Sequence, residues 1–237
     1  MKVAILSLAG KQGKTTLSVH LFAPRLKNAP IFAVETVNET AEAFGLPVRN
    51  YTRDNFPKLF KDLLMEDDVI LDIGSSNVEG FLAGISRYED SHVEIDYWVV
   101  PVTSGGIEQK ETMKTVSMLS DFGIPREKIL LVFNKVQADV EEEFAPLFNF
   151  SKKEKICVAN KDAAIYQHEL FQMLVSKKLS IDAIINDETD FKAKAREEKN
   201  NGGDAKLISH YLDMHTIKLG SKALHRNLES VYAALIH

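Results

Sequence analysis

The chain has 237 residues, 45% of them hydrophobic and 27% charged, with a formal net charge of −5. That is room for one sizeable α/β domain, or for one with an elaborated C-terminal part. The negative balance excludes a general attraction to nucleic acid or acidic lipid, so any such binding must come from a local basic patch. The single cysteine, Cys157, excludes a disulfide framework and a zinc cluster of thiolates, and it fits a reducing cytoplasm.

The N-terminal run Val3 to Ala9 is apolar, breaks at Gly10 and reaches Gly13-Lys14-Thr15-Thr16 just before a helical pattern. Buried strand, tight loop and helix start read this way. Gly13 lets the loop bring backbone N–H groups close to an anion, and a helix start adds further donors and the positive end of its dipole. Lys14 supplies a full charge to phosphates, and the Thr15 hydroxyl is a ligand for Mg²⁺. The strict phosphate-loop pattern also demands glycine at position 8, where Leu8 stands, so the match is partial. The plain alternative is a strand-to-helix turn carrying Gly-Lys-Thr by chance; the strand-loop-helix context favours the cradle. The start is too short in its apolar part for a secretory leader and has lysines where a cleavage site belongs. No apolar run is long enough to span a bilayer.

Helical spacing runs from Thr16 to Leu26, with Leu17, His20, Leu21 and Ala23 on one face and Pro24 ending or kinking it. His20 reads as a packed or solvated helix residue rather than a ligand. Ile31 to Val34 is a second buried strand delivering Glu35 to the rim where doubly wound sheets bind ligands. Residues 36 to 54 read as polar and turn-rich, with a short helical piece at 40–44, and 55–64 as an amphipathic helix. Val69-Ile70-Leu71 is a third strand delivering Asp72 to the same rim, opposite Thr15, where it can hold Mg²⁺ directly or through water. Asp67 and Asp68 read as a solvated turn, and Gly74-Ser75-Ser76 as a mobile loop beside the phosphates.

Residues 95–102 form a further strand, broken at Thr103-Ser104-Gly105-Gly106. A helix follows, stopping at Gly123-Ile124-Pro125, with Met113 and Met118 as core filler. Ile129 to Phe133 is a fifth strand that ends in Asn134-Lys135. Strands alternating with helices predict an α/β fold: a doubly wound, mostly parallel sheet with helices on both faces and extra C-terminal helices. The expected division is one nucleotide-binding unit over 1–237, with a core at 1–160 and a helical elaboration at 161–237. Within the latter, 163–199 read as helical, 197–204 as an exposed turn, and about 221–235 as a final helix packed on the sheet. Lys192, Lys194, Arg196, Lys199, Lys206, Lys218, Lys222 and Arg226 lie around that turn and the final helix. They are a solvated surface or a phosphate-backbone contact.

Gly10-Lys11-Gln12-Gly13-Lys14-Thr15-Thr16, Asp72 after its strand, Val100-Pro101-Val102 and Asn134-Lys135 together resemble the ParA/MinD group of deviant Walker A ATPases. Within it they look most like StbB-type proteins of conjugative plasmids. The resemblance covers roughly the first 160 residues. It implies a P-loop NTPase fold, ATP and Mg²⁺ as ligands, and a cytoplasmic homodimer in the ATP state. Its role would be to position or partition plasmid DNA, directly or through a DNA-binding partner protein, for segregation or conjugation; a membrane is not an expected partner. It also implies that the loop from Gly10 to Thr16 holds the nucleotide and that Lys14 binds phosphates. Thr15 and Asp72 hold the metal, and Asn134, with Lys135 beside it, contacts adenine.

The family's second loop lysine falls on Ala9, and Lys11 stands two positions later; it takes over that cross-dimer contact or the contact is lost. Glu35 matches the first carboxylate after the second strand, but Val37 replaces the second, which helps to set up the attacking water. Two other classes stay open: a nucleotide-gated binding module with little turnover, and an ATP-dependent small-molecule ligase of the same superfold. Nitrogenase-type electron carriers are excluded, because a cluster bridging two subunits needs paired cysteines.

Overall fold

A computed structural model describes residues 1–34, 41–52 and 55–236, apart from the side chain of Ala43. Seven strands form one sheet in the order β3-β2-β4-β1-β5-β6-β7, and every strand pair is parallel. They are β1 (Lys2–Ile5), β2 (Ile31–Val34), β3 (Val48–Tyr51), β4 (Val69–Ile73), β5 (Tyr97–Val102), β6 (Ile129–Val136) and β7 (Ala164–Tyr166). The inner strands are short apolar runs because both faces of a parallel sheet are covered by helices. The α/β, doubly wound, helix-covered fold expected from the sequence is the fold observed.

Alternation along each strand sorts the core into two halves. Val69, Leu71, Ile73, Trp98, Val100, Leu131 and Phe133 face one side. There they meet α2 (Phe56–Met65), α3 (Val78–Ile85), α4 (Gly106–Asp121), α5 (Val140–Glu143) and α6 (Ala145–Glu154). Val3, Ile5, Ile70, Val99, Leu130 and Val132 face the other. That side is closed by α1, which begins at Lys14–Thr16 and continues in wider π turns over Leu17–Phe22. It is completed by α7 (Leu170–Lys177), α8 (Ile181–Asn186), α9 (Phe191–Asn200) and α10 (Ala205–Leu235).

Several boundaries differ from the sequence expectation. The turn-rich stretch contains β3, an edge strand whose middle residues are exposed and therefore lack a continuous apolar signal. The helical elaboration supplies β7 to the sheet, a three-residue strand too short to register as periodic. Residues 75–77 form a tight turn (Ser75–Asn77) at the head of α3, which places Ser75 beside the phosphate loop. The final helix begins sixteen residues earlier than expected, at Ala205, with the Asp204 carboxylate accepting from Lys206 N. The helix runs on through Gly220, where a Cβ would stand 2.2 Å from Leu170 Cδ1 of α7. Asp68 forms an ion pair with the N-terminal amine rather than standing in solvent alone. No helix among the described residues is long and apolar enough to cross a membrane.

Candidate functional site

β1 and β5 are neighbours whose connections leave in opposite directions, to β2 on one side and to β6 on the other. Such a switch point opens a crevice beyond the carboxyl ends of the strands. The loop from Gly10 to Gly13 sits there. Leu6 N still donates to Val99 O (3.1 Å), and Leu8 N donates to Thr115 Oγ1 on α4 (3.2 Å), which ties the outgoing chain to the sheet. Lys11 and Gly13 both take left-handed backbone (φ 60 and 90), and Leu17 N closes the first helical turn on Gly13 O at 3.0 Å.

The loop, Lys14, Thr15 and Thr16 line a cavity of about 640 Å³, with Phe44, Asp72, Ser75, Lys135 and Val175 as its other walls. That is within the range of roughly 300–1,000 Å³ usual for small-molecule sites. Asp72, 7% exposed, reaches it because alternation along β4 turns Ile70 and Asp72 to the face that α1 covers. Thr15 and Asp72 thus share one wall system, an oxygen donor set of the kind Mg²⁺ takes. Among the described residues no group of three or more His, Cys, Asp and Glu could hold a metal alone, so an ion here would complete its shell with water and phosphate. Lys11 is exposed at the loop apex. Glu35 and Val37 lie outside the described residues.

Gln12 and Asn134 point inward. Gln12, 2% exposed, donates from Nε2 to Gly10 O (2.8 Å), and its Oε1 accepts from Thr103 N (2.8 Å) and Thr103 Oγ1 (2.9 Å). Asn134, 4% exposed, donates from Nδ2 to Gln12 O (2.7 Å), and its Oδ1 accepts from Lys135 N (2.9 Å). Lys135 has left-handed backbone and lines both this cavity and an adjoining one of about 430 Å³, which Tyr166, Gln167, His168 and Glu169 help to form. Ser75 stands beside the loop, as its place after the third strand suggested, whereas the sequence reading missed Phe44, Thr103 and Val175; of these only Thr103, at the end of a buried strand, had a signal that could have marked it.

His20, on the π segment of α1, lies just behind the loop and is 2% exposed. Its Nδ1 accepts from Ile181 N (3.3 Å), and its ring packs edge-on against Phe44. Burial pushes its pKa down to about 4, so it is a neutral packing residue.

No protein-family model matches the sequence, and no curated protein does either. Solved structures do match. The cell division ATPase MinD of Pyrococcus furiosus superposes with a TM-score of 0.57 at 13% identity, over 98% of each chain. An ATP complex of a Cyanothece McdA variant gives 0.52 at 14%, over 99% of this chain and 95% of that one. A Borrelia burgdorferi protein described as a plasmid partition protein, bound to AMPPNP, gives 0.51 at 14%, over 92% and 98%. At such identities the likeness is one of fold, and it extends over nearly the whole chain.

Proposed function

We propose that this chain is an ATP-binding switch of the ParA/MinD type, one unit over its full length, that dimerises with nucleotide bound and positions plasmid DNA in the cytoplasm. The observation that carries the reading is the convergence of Lys14, Thr15 and Asp72 on one cavity at the switch point of a parallel sheet. The shared fold with MinD, McdA and a plasmid partition protein supports it. Backbone donors of the loop and the Lys14 ammonium bind the phosphates, as charge-assisted hydrogen bonds do best in a partly closed site. Mg²⁺ held by Thr15 and Asp72 would neutralise phosphate charge. Glu35 is assigned to the first of the two carboxylate positions after the second strand, and Lys11 to the partner subunit's nucleotide.

Slow turnover is the second reading, favoured by Ala9 and Val37 where the resembled family carries a lysine and a carboxylate. For DNA, the exposed cations Lys192, Lys194, Arg196 and Lys199 of α9, with Lys206 and Lys222 of α10, offer a contact face. Lys218 is committed elsewhere: it donates to Asp187 O and to Thr189 O (3.2 Å). Within the ParA/MinD group, resemblance to StbB-type proteins selects conjugative plasmids as the cargo. The test is light scattering and DNA binding with Mg²⁺ and ATP or ADP. ATP should produce a dimer and a DNA affinity that falls steeply with salt. A monomer indifferent to both nucleotides, or no DNA binding at low salt, would contradict the switch or the cargo respectively.

A further inference from the structure

Asn134 sits where resemblance expects a reader of adenine, yet its Nδ2 donates to Gln12 O of the phosphate loop and its Oδ1 accepts from Lys135 N. We infer that Thr103, Gln12 and Asn134 form a clasp that fixes the shape of the loop before nucleotide arrives, with Asn134 acting as a positioning residue rather than a base reader. This rests on the nucleotide reading of the same cavity.

Residues from the carboxyl ends of β5 and β6 meet at Gln12. Alternation places Thr103, after Val99 and Pro101 on β5, and Asn134, after Leu130 and Val132 on β6, on the face that α1 covers. Thr103 holds the Gln12 side chain through two donors, and Asn134 holds its main-chain carbonyl. Gly10 O takes the remaining Gln12 bond, so the residues on either side of Lys11 are pinned together. Gly13 is part of the device. A Cβ there would stand 2.1 Å from Asn134 Nδ2, so only glycine leaves room for the amide to pass beneath the loop.

The bond from Asn134 to Gln12 O is buried and the other three are part-buried, where a hydrogen bond is stronger than in open water and its loss leaves an orphaned partner. They hold Lys11 in left-handed backbone, a conformation that costs a non-glycine residue free energy unless the surroundings over-determine it. A loop held this way meets phosphate without first paying for its own ordering. Because the clasp touches only the loop, its loss should weaken binding of every nucleotide equally, whatever the base.

The test measures amide hydrogen exchange of residues 10–16 in nucleotide-free protein, and the affinities of MgATP, MgGTP and Mg-tripolyphosphate by calorimetry. The variants are Asn134→Ala, the shape-conserving Gln12→Met, and Thr103→Val beside Thr103→Ser. The first three should speed exchange in the loop and weaken all ligands by a common factor of about three to ten, leaving the ATP-to-GTP ratio unchanged. Thr103→Ser should behave as wild type. Thr103→Val should add little on top of Gln12→Met, since both cut the same link. Should Asn134→Ala fail to fold, Gln12→Met and Thr103→Val decide by the same readouts. Wild-type protein that binds ATP, with Asn134→Ala changing the ATP-to-GTP ratio and sparing loop exchange, would overturn the clasp and leave the nucleotide reading standing. Unchanged exchange and affinity in all variants would do the same. Wild-type protein that binds no nucleotide would overturn the reading on which the clasp depends.

Discussion

Asp72 and His20 show how two buried polar residues on neighbouring elements serve opposite ends. Asp72 stands at the cavity with Thr15, so its carboxylate matters when a cation must be held against phosphate. Asp72→Ala should leave ATP binding without metal nearly unchanged and abolish most of the gain that Mg²⁺ brings, read by titrating nucleotide with and without the ion. Loss of thermal stability with an unaltered Mg²⁺ response would reduce Asp72 to a strand cap. His20 is buried and neutral, with its pKa depressed to about 4 from 6.5. Between those values the unfolded chain binds a proton that the folded one refuses, so stability is full above pH 6.5 and falls as pH drops towards 4. The loss should be on the order of 3 kcal/mol across that window, and His20→Gln should flatten it, as chemical denaturation at pH 7, 5.5 and 4.5 would reveal. Lys14, Thr15 and Asp72 were legible in the sequence because a glycine-lysine-threonine loop and a strand-ending aspartate are local patterns. The engagement of Gln12 and Asn134 was not, since their partners lie 91 and 122 residues away in the chain.

Among elements, the inner strands announced themselves as apolar runs, whereas the two edges did not. β3 reads Val-Arg-Asn-Tyr with only Tyr51 buried, and β7 is three residues long. An edge strand has one neighbour and less buried surface, so its sequence is freer to be polar. The beginning of α10 escaped for a related reason: its first turns from Ala205 are almost wholly exposed and carry no apolar stripe. Further along, Met214, Ile217, Ser221, Leu224, Leu228, Val231 and Leu235 turn inward at helical spacing. Leu228→Ala, at a site 1% exposed, should cost about 2–5 kcal/mol of unfolding free energy by the lost burial and the cavity left behind. Leu219→Ala, 57% exposed, should stay within about 0.5 kcal/mol. Equal small effects in denaturant titration would mean that α10 does not pack on the sheet in solution.

The whole molecule is a seven-stranded parallel sheet with its candidate site at the switch point, the place that fold alone makes available to a ligand. What the fold does not decide is chemistry, so the account turns on particular side chains. Lys11 is exposed on left-handed backbone at the loop apex. If it acts across a dimer as an arginine finger does, Lys11→Ala should spare ATP affinity and lower hydrolysis, by up to ~10³-fold or more. Mixing Lys11→Ala with Lys14→Ala protein should then restore activity in part, because one site of the mixed dimer keeps both lysines; no recovery in a confirmed mixed dimer would contradict the trans role. Beneath all of this lies the claim that the loop binds phosphate through Lys14. Calorimetric titration of MgATP into wild-type and Lys14→Ala protein, with melting curves alongside, tests it most directly. The account predicts a folded variant whose affinity is at least about tenfold weaker, as the loss of a charged hydrogen bond to phosphate requires. Equal affinity in a folded Lys14→Ala protein would contradict it.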